Sequence, residues 1–363
     1  MPSQTPRGTP WPELVGRRIV VRVRSETRMY DVLGDLLEAT EDRLRVLTRR
    51  GEVDVDPAAI VAGHPVPPPP VRAAPPHRAL SVGSLELVMA KHWQATEQDW
   101  LGGWLLRASG GFTNRANSVL AVGEPGMPMD VAVLEVVDWY TERGLRPIAA
   151  APDPGLDEDD TEQLLAAAGA FQAAGWRPIE GAGALVMTGA TGEVRGAGRG
   201  AGRSLPAGLV LQLHDHPDAA WMDQYHYKGQ AVPEHGVRLL NSAPEQIFAA
   251  IEDAGRVVGV ARGSLAERWT GLTAMEVDPQ YRRQGLASVL IAAIAEWGWR
   301  HRASSIQLQV GETNETARLL YESAGFEPHH RYAYLTPTPT STPAPTPASA
   351  AAPAPAHGHR SSP

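Results

Sequence analysis

The run from Thr270 to Trp297 constrains this chain most, because its hydrophobic period changes from two residues to 3.6 across a single turn. Thr270-Gly-Leu-Thr-Ala-Met-Glu-Val reads as a strand ending at Asp278-Pro279, a turn-forming pair. After Tyr281-Arg-Arg-Gln-Gly-Leu-Ala, the apolar residues Leu286, Val289, Leu290, Ala293, Ile294 and Trp297 recur at the spacing of a half-buried helix. Similar alternation of strand and helix patterns runs through 84–188 and again through 209–335. Such an order predicts an α/β protein whose sheets are covered by helices.

The turn itself carries chemistry. The first amides of a helix have no acceptor within it and lie at the positive end of its dipole. Gly285 and Ala287 leave little side chain in the way of a ligand approaching the backbone, and Arg282 and Arg283 add charge. Together they form an anion cradle suited to a diphosphate. A Walker loop would need Gly-Lys-Ser/Thr, and a dinucleotide fingerprint would need regularly spaced glycines; neither is present.

Composition narrows the reaction classes. The chain has no cysteine, which removes disulfides, thiolate zinc sites, iron–sulfur clusters and a cysteine nucleophile. No metal site is expected. A net charge of −8 argues against global affinity for nucleic acid, whose binding depends on neutralising phosphates. No run approaches the roughly 18 apolar residues that span a bilayer. Met1 to Pro12 lacks the basic start and apolar block of a secretory leader. A cytoplasmic protein with no membrane or nucleic-acid partner is expected, and the richness in Ala, Arg, Pro and Gly suggests a GC-rich bacterial genome.

Breaks in composition divide the chain. Residues 1–62 hold short alternating runs: Arg18-Ile-Val-Val-Arg-Val-Arg, Tyr30-Asp-Val-Leu-Gly-Asp-Leu-Leu and Arg43-Leu-Arg-Val-Leu-Thr. Arg49-Arg-Gly-Glu then reads as a hairpin turn into Val53-Asp-Val. This pattern predicts a small SH3-like β-barrel, whose interleaved acids make its arginines a solvated face. Residues 63–78, with four consecutive prolines, read as a stiff spacer. Residues 79–188 form one α/β segment, 189–208 a flexible Gly/Arg-rich loop, and 209–335 a second α/β segment. The Thr/Pro/Ala tail at 336–363 cannot bury enough apolar surface to offset ordering and is expected to be disordered.

Here a resemblance enters. Val277-x-Pro279-x-x-Arg282-Arg283-x-Gly285-Leu286-Ala287 resembles motif A of the GNAT superfamily of acetyltransferases. Downstream, Asn314-Glu-Thr-Ala-Arg-Leu-Leu-Tyr321-Glu-Ser-Ala-Gly-Phe326 is similar to that superfamily's motif B. A strand with Ile306, Leu308 and Val310 facing one way separates the two. The resemblance implies acetyl-CoA as co-substrate and an amine acceptor. Backbone groups from Met275 to Val277 would pair with the pantetheine arm. The amides of Arg283, Gln284, Gly285, Leu286, Ala287 and Ser288, with Arg282 beside them, would hold the diphosphate. Asn314 would contact the pantetheine or the acceptor. Tyr321, seven residues beyond Asn314 and so on the same helix face, would protonate the departing thiolate.

An amine must be neutral to attack a thioester, and amines are mostly protonated near neutral pH. Glu276, on the cofactor strand, is the first candidate base; His226, Glu234 and His235 are weaker ones. Residues 79–188 resemble a second GNAT lobe in element order, from Trp104-Leu-Leu-Arg to the helix Met129–Arg143 and the closing Gly175-Trp176. They lack both the arginine–glycine turn and the motif B tyrosine, so a degenerate lobe without CoA is expected. The resemblance extends to actinobacterial GNAT proteins with a small N-terminal barrel and two lobes. Arg107, Asn114, Arg115 and Asn117 would either line an acceptor pocket between the lobes or satisfy the backbone of a turn. A non-catalytic acyl-CoA sensor or scaffold with the same fold is the other reading open to the sequence.

Overall fold

Alternation of apolar and charged residues does in the first unit what it predicts. The computed structural model describes residues 11–25, 28–48, 51–66, 74–155, 160–200, 205–227 and 229–338. These fall into two units, Met1–Ala73 and Ala74–Pro363. In the first, β1 (Arg18–Arg24), β2 (Met29–Ala39), β3 (Leu44–Thr48), β4 (Gly51–Val55) and β5 (Ile60–Pro65) form one antiparallel sheet in the order β4-β3-β2-β1-β5. Ile19, Val21 and Val23 point inward with Leu36, Leu44 and Val46, as a period of two requires. On the other face Arg22 pairs with Asp31 through two bonds of 2.8 and 2.9 Å, and Arg45 with Asp54 at 3.2 Å.

Two expectations change here. Among the described residues no pairing joins β4 to β5, so the sheet is open and the expected barrel is not found. The fifth strand also runs to Pro65, beyond the boundary drawn at 62. The Arg49-Arg50 turn, the four prolines at 67–70 and the tail from 339 lie outside the described residues.

The second unit begins with α1 (Val82–His92), β6 (Glu97–Leu101), β7 (Trp104–Ala108), β8 (Val119–Leu120), α2 (Met129–Glu142) and β9 (Ala149–Asp153). It continues through α3 (Thr161–Ala173), β10 (Trp176–Pro178), β11 (Ala184–Ala190), α4 (Thr191–Gly200) and β12 (Leu209–His214). Then come α5 (Ala219–Gln224), the hairpin β13 (His226–Tyr227) and β14 (Gln230–Ala231), α6 (Glu234–Leu240), β15 (Glu245–Asp253), β16 (Arg256–Ala266) and β17 (Trp269–Val277). The last elements are α7 (Leu286–Arg300), β18 (Ser305–Gly311), α8 (Glu315–Ser323) and β19 (Glu327–Pro337).

One 12-stranded sheet runs β12-β15-β16-β17-β18-β11-β19-β9-β8-β7-β6, with β10 added beside β19. Only two of its pairings are parallel, β17 with β18 and β8 with β9, and each is bridged by a helix, α7 or α2. The order exposes a repeat. Each half supplies a run of strands ending in a parallel pair, then meets the other half's last strand before its own. Strand β11 thus sits between β18 and β19, and β19 sits between β11 and β9. The division expected at 189–208 therefore does not separate two sheets.

Helix α7 buries Leu286, Leu290, Ile291, Ile294, Ala295 and Gly298, the expected stripe turned slightly so that Trp297 is only partly covered. Its closest approach to the sheet is at Gly298, where an added Cβ would lie 2.0 Å from Thr270 Oγ1. The run at 191–200, expected as a flexible loop, is helix α4. Glycine is a poor helix former, but tertiary packing overrides propensity. Arg195 stacks 4.7 Å over Trp299 and pairs with Glu296 at 3.5 Å, and Gly192 lets Trp299 approach its backbone. Both halves end a helix in the same way: Gly175 (φ +85) and Gly325 (φ +92) turn the chain so that Trp176 and Phe326 are buried. Among the described residues no helix is long and apolar enough to cross a membrane.

Residues 205–338 expressed alone would lack β11 and leave a gap between β18 and β19. They are expected to be insoluble and to recover as a soluble complex when co-expressed with residues 74–200, read by size-exclusion chromatography. A soluble, folded 205–338 fragment would refute this dependence. His92 gives a second test. Burial, aided by the charges of Arg262 and Arg115, pushes its imidazole down to about 3. The unfolded chain takes up that proton near pH 6.5 and the folded one does not. Stability should therefore fall as pH drops from about 6.5 towards 3, and His92→Asn should flatten that slope in urea titrations.

Candidate active site

The site follows from a fault in the pairing of β17. Its register with β18 runs from Trp269↔Ser305 to Leu272↔Leu308 and stops, although both strands continue, to Val277 and Gly311. On its other side β17 pairs with β16 throughout, but the register slips between Val260↔Glu276 and Arg262↔Thr273. That slip is a bulge centred on Ala274, a non-glycine residue at φ +50. Beyond the bulge, Thr273 to Val277 are half-buried and have no partner strand on the β18 side. An exposed strand edge accepts an extended ligand as a further strand.

A cleft of about 670 Å³ opens there, lined by Met275 to Val277, by the turn and first residues of α7, and by the start of α8. The turn is braced at several points. Asp278 accepts from the Gln280 amide at 2.8 Å and pairs with Arg256, while the Tyr281 hydroxyl donates to Asp253 at 2.6 Å. Arg282 Nε donates to the Val277 carbonyl at 3.1 Å, so this arginine also holds the strand's end. Arg283 (φ +64) and Gly285 (φ +86) both take left-handed conformations, and Gly285 caps α7. Nothing lies within 4 Å of a Cβ placed on Gly285, which leaves its backbone open to the cleft. Gln284 bonds back to Gln280 at 3.3 Å. Leu286, Ala287 and Ser288 all line the cleft, Leu286 and Ser288 as buried residues at the helix start.

Of the groups read as catalytic, Glu276 lines this cleft and Tyr321 is not among the residues that line it. Glu276 Oε2 accepts from the His226 amide at 2.8 Å, with His226 Nδ1 4.0 Å from Oε1. The first candidate base and one of the weaker ones are thus neighbours. Glu234 and His235 are not: Glu234 pairs with Arg238 at 2.9 Å, and His235 packs against Phe112. Asn314 lines the cleft while its Oδ1 caps α8 by accepting from Ala317 at 3.1 Å. Tyr321, two turns on, is 9% exposed and packs edge-on against Phe326 at 5.8 Å. Burial pushes its phenol up to about 12, so it stays protonated at neutral pH.

A second cavity, of about 260 Å³, lies along the same strand one step earlier, at Leu272 to Ala274. It is lined from the first half by Trp93 and the 113–115 turn, from β18 by Gln309, and from the 181–184 segment that leads into β11. Asn114 and Arg115 belong to it. Arg107 and Asn117 do not. Arg107 is buried and donates to the Ser118 carbonyl and hydroxyl, both at 3.0 Å. Asn117 spends its side chain on the backbone, accepting from Ser109 and Gly111 and donating to Phe112 and Thr113. They hold the turn that presents the other two. Sequence reasoning missed the aromatic wall of Tyr225, Tyr227, Tyr332 and Tyr334. The Tyr-x-Tyr spacing of each pair, which places both rings on one face of an extended chain, was the available signal.

Comparison with known proteins agrees with this geometry. A family described as "Probable histone acetyltransferase Rv0428c C-terminal" matches residues 81–335. The probable histone acetyltransferase Rv0428c of Mycobacterium tuberculosis is 31% identical over 348 residues, covering 90% of this chain and 96% of the relative. The uncharacterized N-acetyltransferase YobR of Bacillus subtilis is 25% identical over 260 residues, covering 70% of this chain and 97% of its own. A GCN5-related N-acetyltransferase from Kribbella flavida shares the fold, with a TM-score of 0.51 at 16% identity over 71% of this chain and 96% of that one. The chain belongs to the Rv0428c C-terminal family and, with it, to the GNAT N-acetyltransferases.

Proposed function

We propose that the chain moves an acetyl group from acetyl-CoA directly to a primary amine, with both substrates bound together. The observation that carries this reading is the cleft in which the unpaired edge of β17 meets the N-terminus of α7. The open space at Gly285 fits a diphosphate, since a side chain there would fill the approach to the helix amides. In this reading Met275 to Val277 pair with the pantetheine arm. The amides from Arg283 to Ser288, with Arg282 at the rim, hold the diphosphate, and Asn314 borders the arm.

Acetyl-CoA supplies the acetyl group as a thioester. Glu276 takes a proton from the acceptor's ammonium, directly or through water, and so provides the neutral amine. The amine nitrogen forms the new C–N bond as the C–S bond breaks. The Tyr321 hydroxyl gives its proton to the departing sulfur, and the proton that the nitrogen sheds as it becomes an amide passes through solvent to restore the phenol. With no cysteine in the chain, direct transfer needs no thioester to the enzyme, and its rate comes from positioning. We infer that the first half holds no CoA: the turn before α2, residues 123–128, has no arginine and carries Glu124, and an acid there repels phosphate. A histone is the acceptor that the Mycobacterium relative's name gives for that protein.

Gly285→Glu should raise the acetyl-CoA Kd by about 100-fold or more, through left-handed strain of ~1–2 kcal/mol and charge repulsion in the cradle. Calorimetry reads it, and unchanged affinity would remove the cradle from the reading. Tyr321→Phe keeps the packing and should lower kcat by about 10²-fold with acetyl-CoA Kd unchanged. Glu276→Gln should lower kcat/KM by a factor that shrinks as pH rises and solvent deprotonates the acceptor unaided. An unaltered kcat in the first variant, or a pH-independent defect in the second, would displace those assignments.

A further inference from the structure

The smaller cavity has an unbalanced charge. Among the residues that line it, Arg115 is the only charged one. Behind it lies Arg262 on β16, fully buried, its guanidinium reaching only neutral oxygens: the Leu240 carbonyl at 2.6 Å, Thr273 Oγ1 and the His92 carbonyl at 3.2 Å, and Gln246 Oε1 at 3.3 Å. Both guanidiniums approach the ring of Trp93, at 5.8 and 5.4 Å. Among the described residues neither forms an ion pair with a carboxylate. The acids nearby are already engaged. Glu86 is held by His330 at 2.9 Å, Glu312 beside Gly183 pairs with Arg331 at 3.7 Å, and Glu276 serves the neighbouring cleft.

Holding Arg262 buried without a counter-charge costs several kcal/mol, and the half-buried Arg115 lines the cavity. Burial, with the charge of Arg115, pushes Arg262 down to about 9, so it still carries its proton at neutral pH. A phenol adds a donor of the right kind: burial pushes Tyr225 up to about 12, so it remains neutral and able to donate, while Tyr334, pushed well above its usual range, bonds to Tyr332. At about 260 Å³ the cavity suits a small head group and not a folded surface. Its wall at Thr273 and Ala274 runs on into Met275 to Val277 of the cleft, so an amine attached to such a head group lies beside the thioester's expected position.

We propose that this cavity is the acceptor pocket and that it selects amines that also carry a carboxylate, such as free amino acids, with Arg115 receiving the carboxylate. The inference rests on the acetyltransferase reading above and names its substrate class. A lysine-rich peptide would instead bring positive charge into a pocket already positive, which is repulsive at this range. Arg262 does not touch the acceptor; it sets the field from beneath.

The test compares matched acceptors in an assay of CoA thiol release: a set of amino acids, their carboxamides, and a lysine-rich peptide. Wild-type kcat/KM should favour the acids over their amides by about tenfold or more, as expected for one charged contact of about 1.4 kcal/mol. Arg115→Gln should bring that ratio close to one, mainly through KM for the acids, with acetyl-CoA Kd unchanged by calorimetry. Arg115→Lys should restore part of the preference, which a purely structural role would not do. Equal or better turnover of amides or the basic peptide overturns the proposal, as does failure to acetylate any acid while acetyl-CoA binds. Absence of acetyl-CoA binding would instead overturn the acetyltransfer reading beneath it.

Discussion

The separation of β17 from β18 is the constraint on which the rest of the structure depends. A sheet saturates its backbone groups by pairing, and a strand that loses its neighbour midway must offer those groups to something else. The bulge at Ala274 turns β17 away after Leu272 and so leaves five residues with one open edge. Every part of the site is then ordered along that one strand. The smaller cavity adjoins Leu272 to Ala274, the long cleft adjoins Met275 to Val277, and the turn into α7 follows. The chemistry is linear because the strand is.

The two halves show how similar parts come to different ends. Each has a parallel pair bridged by a helix, and each closes a later helix with a left-handed glycine and a buried aromatic. The difference lies in a few side chains at the turn before the bridging helix, arginines in one half and an acid with proline in the other. The first half nonetheless contributes to the site, since Trp93 and the 113–115 turn wall the cavity from one side. Its buried Arg107 and Asn117 serve that purpose at one remove, by fixing the turn.

What was legible in the sequence was local. The start of α7, its apolar stripe and the small residues of its first turn all follow from residues within one or two turns of each other. The barrel did not hold because closure depends on whether the outer strands meet, and alternation within each strand says nothing of that. Helix α4 was hidden by its glycines, since the contact with Trp299 that stabilises it comes from a helix about 100 residues later. Nor does the sequence of β11 name its neighbours; an apolar strand fits between many pairs. Arg262 was the exception that could have been found, as a lone charge within the apolar run Val257-Val-Gly-Val-Ala.

The exchange of last strands also bears on how the chain is made. Strand β9 pairs with β8 on one side, but on the other its partner is β19, so after Asp153 leaves the ribosome that second edge stays open until Glu327 and its successors are synthesised. At ~5–20 residues per second that wait is on the order of 10–30 s. Throughout it the nascent first half carries an unsatisfied, apolar strand edge, the feature by which chains join one another wrongly. An arrangement that makes the finished sheet continuous thereby leaves the half-made protein with an edge to be kept from other chains until synthesis is complete.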